Sequence, residues 1–139
     1  MNISQAAAAS GVSAKMLRHY ETIGLVPKAR RTAANYRSYS ETDVHTLRFI
    51  RTARDLGFSI DDIRALLALW RDRQRPSRVV KRLAERHARE LRARIGELEA
   101  MLVALEHLVH HCHGDERPDC PIIDGLEAGI ARRRSAGNR

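Results

Sequence analysis

The sequence predicts a mainly α-helical fold, in which a winged helix-turn-helix domain is followed by one long coiled-coil helix and a short loop that contains two cysteines. Three observations predict it. Aromatic residues make up only 4% of the 139 residues, two short helical segments flank a glycine near the start, and a heptad repeat of apolar residues occupies the second half. A chain that is rich in Ala, Leu and Arg and poor in aromatics favours helices packed on one another.

The first two predicted helices form the helix-turn-helix. Ser4 is expected to cap a helix over residues 5–10 that Gly11 ends, because serine favours the position before a helix and glycine the position after it. Ser13 is expected to begin a second helix that stops at Gly24. A short helix, a turn with glycine and a second helix carrying basic residues are typical of this motif.

A hairpin-like wing and two further helices follow. Residues 25–39 lose the helical pattern at a proline, and Asn35 is expected at the hairpin turn because asparagine tolerates a positive φ. Ser40, with an aspartate three residues later, is expected to cap a helix that runs to about residue 56. Ser59 is expected to cap a fourth helix, whose pattern is lost near residue 74.

The longest predicted helix covers residues 77–111 and carries an unbroken apolar stripe. The spacing between the stripe residues alternates between four and three, which is the heptad pattern of a coiled coil. These residues are Ala84, Ala88, Leu91, Ile95, Leu98, Leu102, Leu105 and Val109. A protein this small cannot cover such a stripe well, so we expect a homodimer, by parallel or antiparallel pairing; the alternative is a helix lying on its own domain.

These patterns divide the chain into four expected segments. Residues 1–75 form the winged helix-turn-helix domain, 76–111 the dimerisation helix, 112–130 a loop with a short helix, and 131–139 a disordered basic tail. No apolar run approaches the roughly 20 residues that span a membrane, and the start does not have the pattern of a secretion signal. We therefore expect a cytoplasmic protein with no membrane partner, in a compartment where thiols stay reduced.

The positive charge is concentrated in the predicted helix-turn-helix and wing. The whole chain has 25 Lys and Arg against 17 Asp and Glu, and residues 1–55 hold nine of the basic residues and four of the acidic ones, a net +5. Lys15 and Arg18 are three residues apart and therefore share one helix face. Double-stranded DNA is the expected partner because phosphate contacts release counterions. The alternative is a solvated basic surface that binds nothing in particular.

Two cysteines point to metal chemistry. Cys112 and Cys120 are separated by seven residues, a loop short enough to bring both sulfurs to one ion. Thiolates suit Cu(I), Zn(II) and iron–sulfur chemistry. Two sulfurs satisfy a linear Cu(I) centre, whereas tetrahedral Zn(II) needs two further ligands, which His110, His111 or His113 would have to supply. A thiol redox switch remains an alternative.

The ordered motifs of the chain resemble those of MerR-type transcription regulators. The motifs are MLRHYETIGLV, NYRSY, RDLGFSIDDI and the long pairing helix. The resemblance implies that the helix-turn-helix enters the major groove, that the wing grips the DNA backbone, and that the long helices pair antiparallel. Asn35 departs from the glycine usual in the family but can adopt the same turn. The implied DNA contacts are Lys15, Arg18, Tyr20, Arg31, Tyr36, Arg37 and Arg54.

The segment CHGDERPDCPII resembles the metal-binding loop of the copper-efflux regulators within that family. In the family, the long helix begins with serine in sensors of monovalent ions and with cysteine in sensors of divalent ions, and here it begins with Ser77. The resemblance implies that Cys112 and Cys120 bind Cu(I), or else Ag(I) or Au(I). It also implies that Ser77 and Lys81 lie close to the ion, where the lysine would balance the negative charge of a bis-thiolate centre.

The implied function is a regulator that activates copper-efflux promoters, together with RNA polymerase, by distorting promoter DNA when metal binds. The alternatives are a Zn(II) or Cd(II) sensor of the same family, a drug sensor, a thiol redox regulator, and a coiled-coil adaptor. The roughly 28 residues after the long helix are few for a drug-binding domain. An enzyme is not expected, because the sequence has no glycine-rich phosphate loop and no evident nucleophile–base pair.

Overall fold

The computed structural model describes residues 1–116 and 118–129. The fold is mainly helical, as predicted, with one small two-stranded sheet. In chain order the elements are α1 (Ile3–Ser10), α2 (Ala14–Thr22), β1 (Arg30–Arg31), β2 (Arg37–Ser38), α3 (Glu41–Asp55), α4 (Ile60–Arg71), α5 (Ser77–His111) and α6 (Pro121–Glu127). The chain forms two compact units, the first from Met1 to Leu83 and the second from Ala84 onwards. The predicted tail, 131–139, and residue 130 lie outside the described residues.

Side-chain caps determine where the helices of the first unit begin. The predicted caps Ser13, Ser40 and Ser59 are confirmed, since each serine side chain accepts a hydrogen bond from the backbone N–H three residues later. The predicted Ser4 cap is wrong. Helix α1 begins two residues earlier because Asn2 and Gln5 form a capping box, in which each side chain accepts the backbone N–H of the other residue at 2.8–2.9 Å.

Two helices end earlier than predicted. Helix α2 ends at Thr22, since Gly24 takes a positive φ of 73° and the N–H of Leu25 turns back to the carbonyl of Tyr20 at 2.9 Å. Helix α4 ends at Arg71 because the backbone of Asp72 is extended. The turn between α1 and α2 is as predicted, with Gly11 in the left-handed conformation at φ 75°. A Cβ there would also meet the Arg51 side chain.

One apolar core holds the helices of the first unit together. Leu17 of α2, Leu47 and Ile50 of α3, and Ile63 of α4 are its largest fully buried side chains. Burying each of them contributes about 1.5–3 kcal/mol. This core positions α2 because Leu17 faces inward, which leaves the opposite face of the helix in solvent.

The wing is a short antiparallel hairpin in which Arg31 pairs with Arg37. Asn35 occupies the turn with a φ of 66°, as predicted, and its N–H donates to the carbonyl of Thr32 at 2.8 Å. The N–H of Thr32 in turn donates to the carbonyl of Tyr36 at 2.7 Å. These bonds fix a tight turn, which carries the side chain of Tyr36 at its tip.

Helix α5 begins and ends where the heptad pattern predicts, at Ser77 and His111. Its apolar stripe lies open to solvent: Leu98 is 62% exposed and Leu102 55%. The stripe is therefore not covered by other parts of the chain that the structure describes, in contrast to the alternative of a helix lying on its own domain. No helix among the described residues is both long and apolar enough to cross a membrane.

Candidate DNA interface and metal loop

Helix α2 presents Lys15 and Arg18 to solvent on one face. The Ser13 cap secures the N-terminal turn of this helix, its hydroxyl oxygen accepting the N–H of Met16 at 3.1 Å. Because Leu17, between the two basic residues, is completely buried, the helix cannot rotate without opening the core. The arrangement presents two cations on a rigid helix, which is suited to contacts with phosphates or base edges.

Two of the expected DNA contacts outside the wing, Tyr20 and Arg54, interact with other parts of the protein. Tyr20 lies in the core at 5% exposure, which favours a packing role for its ring. Arg54 is exposed, but its Nη1 donates to the carbonyl of Phe58 at 3.1 Å and so helps to close the end of α3.

The wing residues differ from one another in exposure. Tyr36 is 74% exposed at the tip, and the nearby Arg31 is exposed while its Nη1 donates to the carbonyl of Asn35 at 3.1 Å. Arg37 is only half-exposed, and its guanidinium lies 3.4 Å from the carboxylate of Glu21. Tyr36 and Arg31 therefore face outward, whereas Arg37 points back towards α2.

A buried carboxylate that the sequence interpretation missed joins the wing to α2. Glu21 is only 6% exposed. Its Oε1 accepts the hydroxyl of Tyr39 at 2.7 Å and the guanidinium of Arg37 at 3.4 Å, and its Oε2 accepts the N–H of Ala29 at 3.1 Å. Glu21 thus contacts the chain both before β1 and around β2. The sequence did contain a signal, because Glu21 is the only acidic residue before Glu41 in a basic region.

The environment of Tyr39 disfavours its ionised form. Burial, followed by the hydrogen bond to the Glu21 carboxylate, raises the pKa of Tyr39 above its ordinary value, and the nearby Arg37 opposes this effect. The phenol therefore keeps its proton at neutral pH, and its O–H donates a hydrogen bond to the Glu21 carboxylate. A buried carboxylate needs such donors, because burying an unpaired charge is strongly unfavourable.

The two cysteines lie at the two ends of a closed loop. Cys112 directly follows α5, and Cys120 occupies the position before α6, where its carbonyl accepts the N–H of Asp124 at 3.0 Å. Both are half-buried free thiols. Helix α6 packs on the end of α5 at Gly125, where a Cβ would come within 2.6 Å of the Cδ2 of Leu108.

This packing holds the second end of the loop close to the helix from which the loop departs. Two half-buried thiols on such a loop fit an ion that accepts two sulfur ligands. Across residues 1–116 and 118–129, no group of three or more His, Cys, Asp or Glu side chains is arranged around a common metal position. His110, His111 and His113, which a tetrahedral Zn(II) site would need as additional ligands, are all exposed.

Ser77 and Lys81 belong to the first unit, whereas Cys112 and Cys120 belong to the second. Ser77 is the first residue of α5, and Cys112 directly follows the last. A helix of 35 residues is about 50 Å long at a rise of about 1.5 Å per residue. Both Ser77 and Lys81 are exposed.

Comparison with known proteins matches the chain to two family profiles. The profile described as MerR HTH family regulatory protein matches residues 1–69, and the profile described as MerR, DNA binding matches residues 44–108. The chain is 55% identical to heavy metal-dependent transcription regulator 2 of Rhizobium meliloti (strain 1021), over 95% of this chain and 90% of that protein. It is 38% identical to the HTH-type transcriptional regulator CueR of Escherichia coli O6:H1, over 97% of this chain and 99% of that protein.

A solved structure shows the same fold. The transcription regulator PbrR691 from Ralstonia metallidurans CH34, in complex with Lead(II), superimposes with a TM-score of 0.78 at 29% identity. The match covers 91% of this chain and 98% of that one. The likeness therefore extends beyond the helix-turn-helix to most of the molecule.

Proposed function

Because this chain belongs to the MerR family of helix-turn-helix regulatory proteins, we propose that it senses Cu(I), with Ag(I) and Au(I) as further ions of the same class. At the coarser level it is a metal-responsive, DNA-binding transcription regulator and not an enzyme. The observation that carries the copper proposal is the pair of half-buried free thiols, Cys112 and Cys120, on a loop closed by α6.

The ligand chemistry supports a monovalent ion. Two thiolates complete the coordination of linear Cu(I), while Zn(II) or Pb(II) would require more ligands. Ser77 supplies no thiolate at the start of α5, and the chain has no third cysteine. A divalent ion is the second candidate for the sensed metal, because the structure of PbrR691 is a complex with Lead(II) and a similar chain is named heavy metal-dependent.

The proposal includes an antiparallel homodimer. The exposed stripe on α5 needs a partner helix, and antiparallel pairing would bring the start of one α5 alongside the cysteine loop of the other copy. Ser77 and Lys81 of the second copy would then lie near Cys112 and Cys120. A bis-thiolate Cu(I) centre has a net charge of −1, and the ammonium of Lys81 would offset it.

The proposed mechanism is a shift between two conformations of the DNA-bound dimer. Two helix-turn-helix domains would bind a dyad-symmetric promoter element, with Lys15 and Arg18 on α2 and Tyr36 at the wing tip facing the DNA. Cu(I) must bind the activating conformation more tightly than the repressing one. In the activating conformation the DNA is distorted so that RNA polymerase can use a copper-efflux promoter. We place this process in the cytoplasm.

The test is an anaerobic titration of the reduced full-length chain with Cu(I) against a competing chelator, with Zn(II) in parallel. We expect one Cu(I) per chain, bound much more tightly than Zn(II), and loss of this binding in Cys112→Ser and in Cys120→Ser. Ser77→Cys adds a thiolate and is expected to raise Zn(II) affinity relative to Cu(I).

The matched control is Ser38→Cys, which also adds one thiol but in the wing. It should leave the Cu(I) to Zn(II) preference unchanged. Tighter binding of Zn(II) than of Cu(I) to the unmodified chain, together with its loss in both Cys112→Ser and His110→Ala, would replace the copper proposal with the divalent one. Fast formation of an intramolecular disulfide with no metal binding would favour a redox regulator.

A further inference from the structure

A cluster of imidazoles lies at the end of α5, beside the cysteine loop but not used by it in the proposed function. His107, His110, His111 and His113 fall within seven consecutive positions. His107 and His111 are four residues apart in one helix, so their side chains project from the same face, one turn above the other. Two histidines at this spacing on one face are the arrangement by which helices commonly bind Zn(II).

The ring geometry supports a shared ligand for this pair. The ring centroids of His107 and His111 are 4.4 Å apart, with the planes at 68° to each other. Imidazole nitrogens bind metals at about 2.0–2.1 Å, so a single ion can bridge two rings at this separation after small rotations about the side-chain bonds. Both residues are exposed, so an ion can reach them directly from solvent. The pair His110 and His111 is wider, at 5.3 Å.

We propose that His107 and His111 form a second metal site, which binds a divalent transition-metal ion through both imidazoles and is separate from the Cys112–Cys120 loop. Imidazole suits Cu(II), Ni(II) and Zn(II), whereas a pair of thiolates suits Cu(I). The described residues offer no third side chain arranged for the same ion, so water completes the coordination. The end of α5 would thus carry two sites of different ligand class.

The test uses the full-length chain carrying Cys112→Ser and Cys120→Ser, so that no thiolate competes for the ion. Ni(II) is the probe, because it does not change oxidation state during the titration, and calorimetry measures its binding. We expect one Ni(II) per chain in this background and its loss on adding either His107→Ala or His111→Ala. Alanine is the best helix former, so α5 remains intact, which circular dichroism checks.

The matched control is His45→Ala, which removes an exposed histidine from the middle of α3 and should leave Ni(II) binding unchanged. Binding that persists in both His107→Ala and His111→Ala overturns the proposal, as does an absence of Ni(II) binding in the thiol-free background. Loss of binding in His110→Ala with retention in His107→Ala also overturns it, because the ligand pair would then be a different one. None of these outcomes depends on Cu(I) binding at the cysteines.

Discussion

At the scale of single residues, the most consequential contact is the buried carboxylate of Glu21. It accepts three hydrogen bonds, from Tyr39, Arg37 and Ala29, at 2.7–3.4 Å. All three donors lie in or beside the wing, while Glu21 is part of α2. The position of the wing relative to α2 therefore depends on a buried carboxylate, and removing a donor leaves that carboxylate with fewer hydrogen bonds.

Replacing the closest donor tests this dependence. Tyr39→Phe removes the hydroxyl that donates to Glu21 and keeps the ring. We expect a loss of about 1.5–3 kcal/mol in the free energy of unfolding, as for hydrogen bonds to charged groups. Urea unfolding at one fixed chain concentration measures it. Tyr36→Phe is the matched control: its ring is 74% exposed, and a change within about 0.5 kcal/mol is expected. Equal effects in both variants would contradict the argument.

The raised pKa of Tyr39 also predicts a dependence on pH. Tyrosine in an unfolded chain titrates near pH 10, and the folded-state pKa of Tyr39 lies above this value. The stabilising contribution is therefore complete below about pH 10 and decreases as the pH rises through the folded-state pKa. We expect the stability difference between the unmodified chain and Tyr39→Phe to be constant from about pH 7 to 9 and to shrink in more alkaline solution. A stability difference between the two proteins that grows above pH 10 would contradict a raised pKa of Tyr39.

At the scale of elements, helices α5 and α6 depend on different partners. Helix α6 is short and packs on its own chain, at the contact between Gly125 and Leu108. Helix α5 is long and leaves its stripe uncovered by the described chain. Helix α6 thus packs within its own chain, whereas the stripe of α5 is open to a helix from a second copy.

The close contact predicts a strong effect of adding one methyl group. Gly125→Ala places a Cβ within 2.6 Å of the Cδ2 of Leu108, and such overpacking costs about 1–3 kcal/mol. We expect Cu(I) affinity to fall by roughly tenfold, because α6 no longer holds Cys120 in place. Competition with a chelator measures this. Glu127→Ala, at an exposed position of α6, should have no effect, and Leu108→Ala should partly restore the affinity of Gly125→Ala.

The exposed stripe predicts the oligomeric state. Leu102→Glu places a charge in the apolar stripe of α5 and is expected to shift the protein from dimer to monomer. Size-exclusion chromatography coupled to light scattering measures the shift. Val103→Glu is a close control, since Val103 is 57% exposed and Leu102 55%, but Val103 lies beside the stripe. If Val103→Glu dissociates the dimer as strongly as Leu102→Glu, the apolar stripe is not the dimer interface.

At the scale of the whole molecule, the basic charge of the first unit should determine how DNA binding responds to salt. Lys15→Ala and Arg18→Ala each remove one cation from the exposed face of α2. We expect weaker binding to promoter DNA, with the slope of log affinity against log salt reduced by about 1 for each phosphate that the variant no longer neutralises. Fluorescence anisotropy at several salt concentrations measures it. Arg89→Ala, exposed on α5, removes the same charge and should leave the slope unchanged.

Features set by strict local patterns could be predicted from the sequence. The bounds of α5 follow from the heptad repeat after Pro76, and the turn at Asn35 follows from its tolerance of a positive φ. The start of α1 could not be predicted from the sequence. Asn2 and Ser4 are both good caps, and only the reciprocal hydrogen bonds between Asn2 and Gln5 decide between them.

The direction in which a side chain points was harder to predict. Tyr20 enters the core, and Arg37 turns towards Glu21, sixteen residues earlier in the chain. Both outcomes depend on contacts between elements, which no local spacing encodes. The proposed placement of Ser77 and Lys81 near the cysteines is similar, since it would depend on contacts with a second copy of the chain. The cysteine loop itself was apparent from spacing and resemblance, and α6 adds the contact that closes it.

The open stripe of α5 has a consequence for the lifetime of the protein in a cell. Within the described part of α5, only His87 and Leu108 are buried, so a newly made chain has a folded first unit but a weakly supported long helix. Proteases cleave such locally unfolding segments. Pairing protects the helix, and pairing depends on concentration. At low concentration a larger fraction of the chains would be unpaired and removed, so that the lifetime of the regulator is coupled to its own assembly.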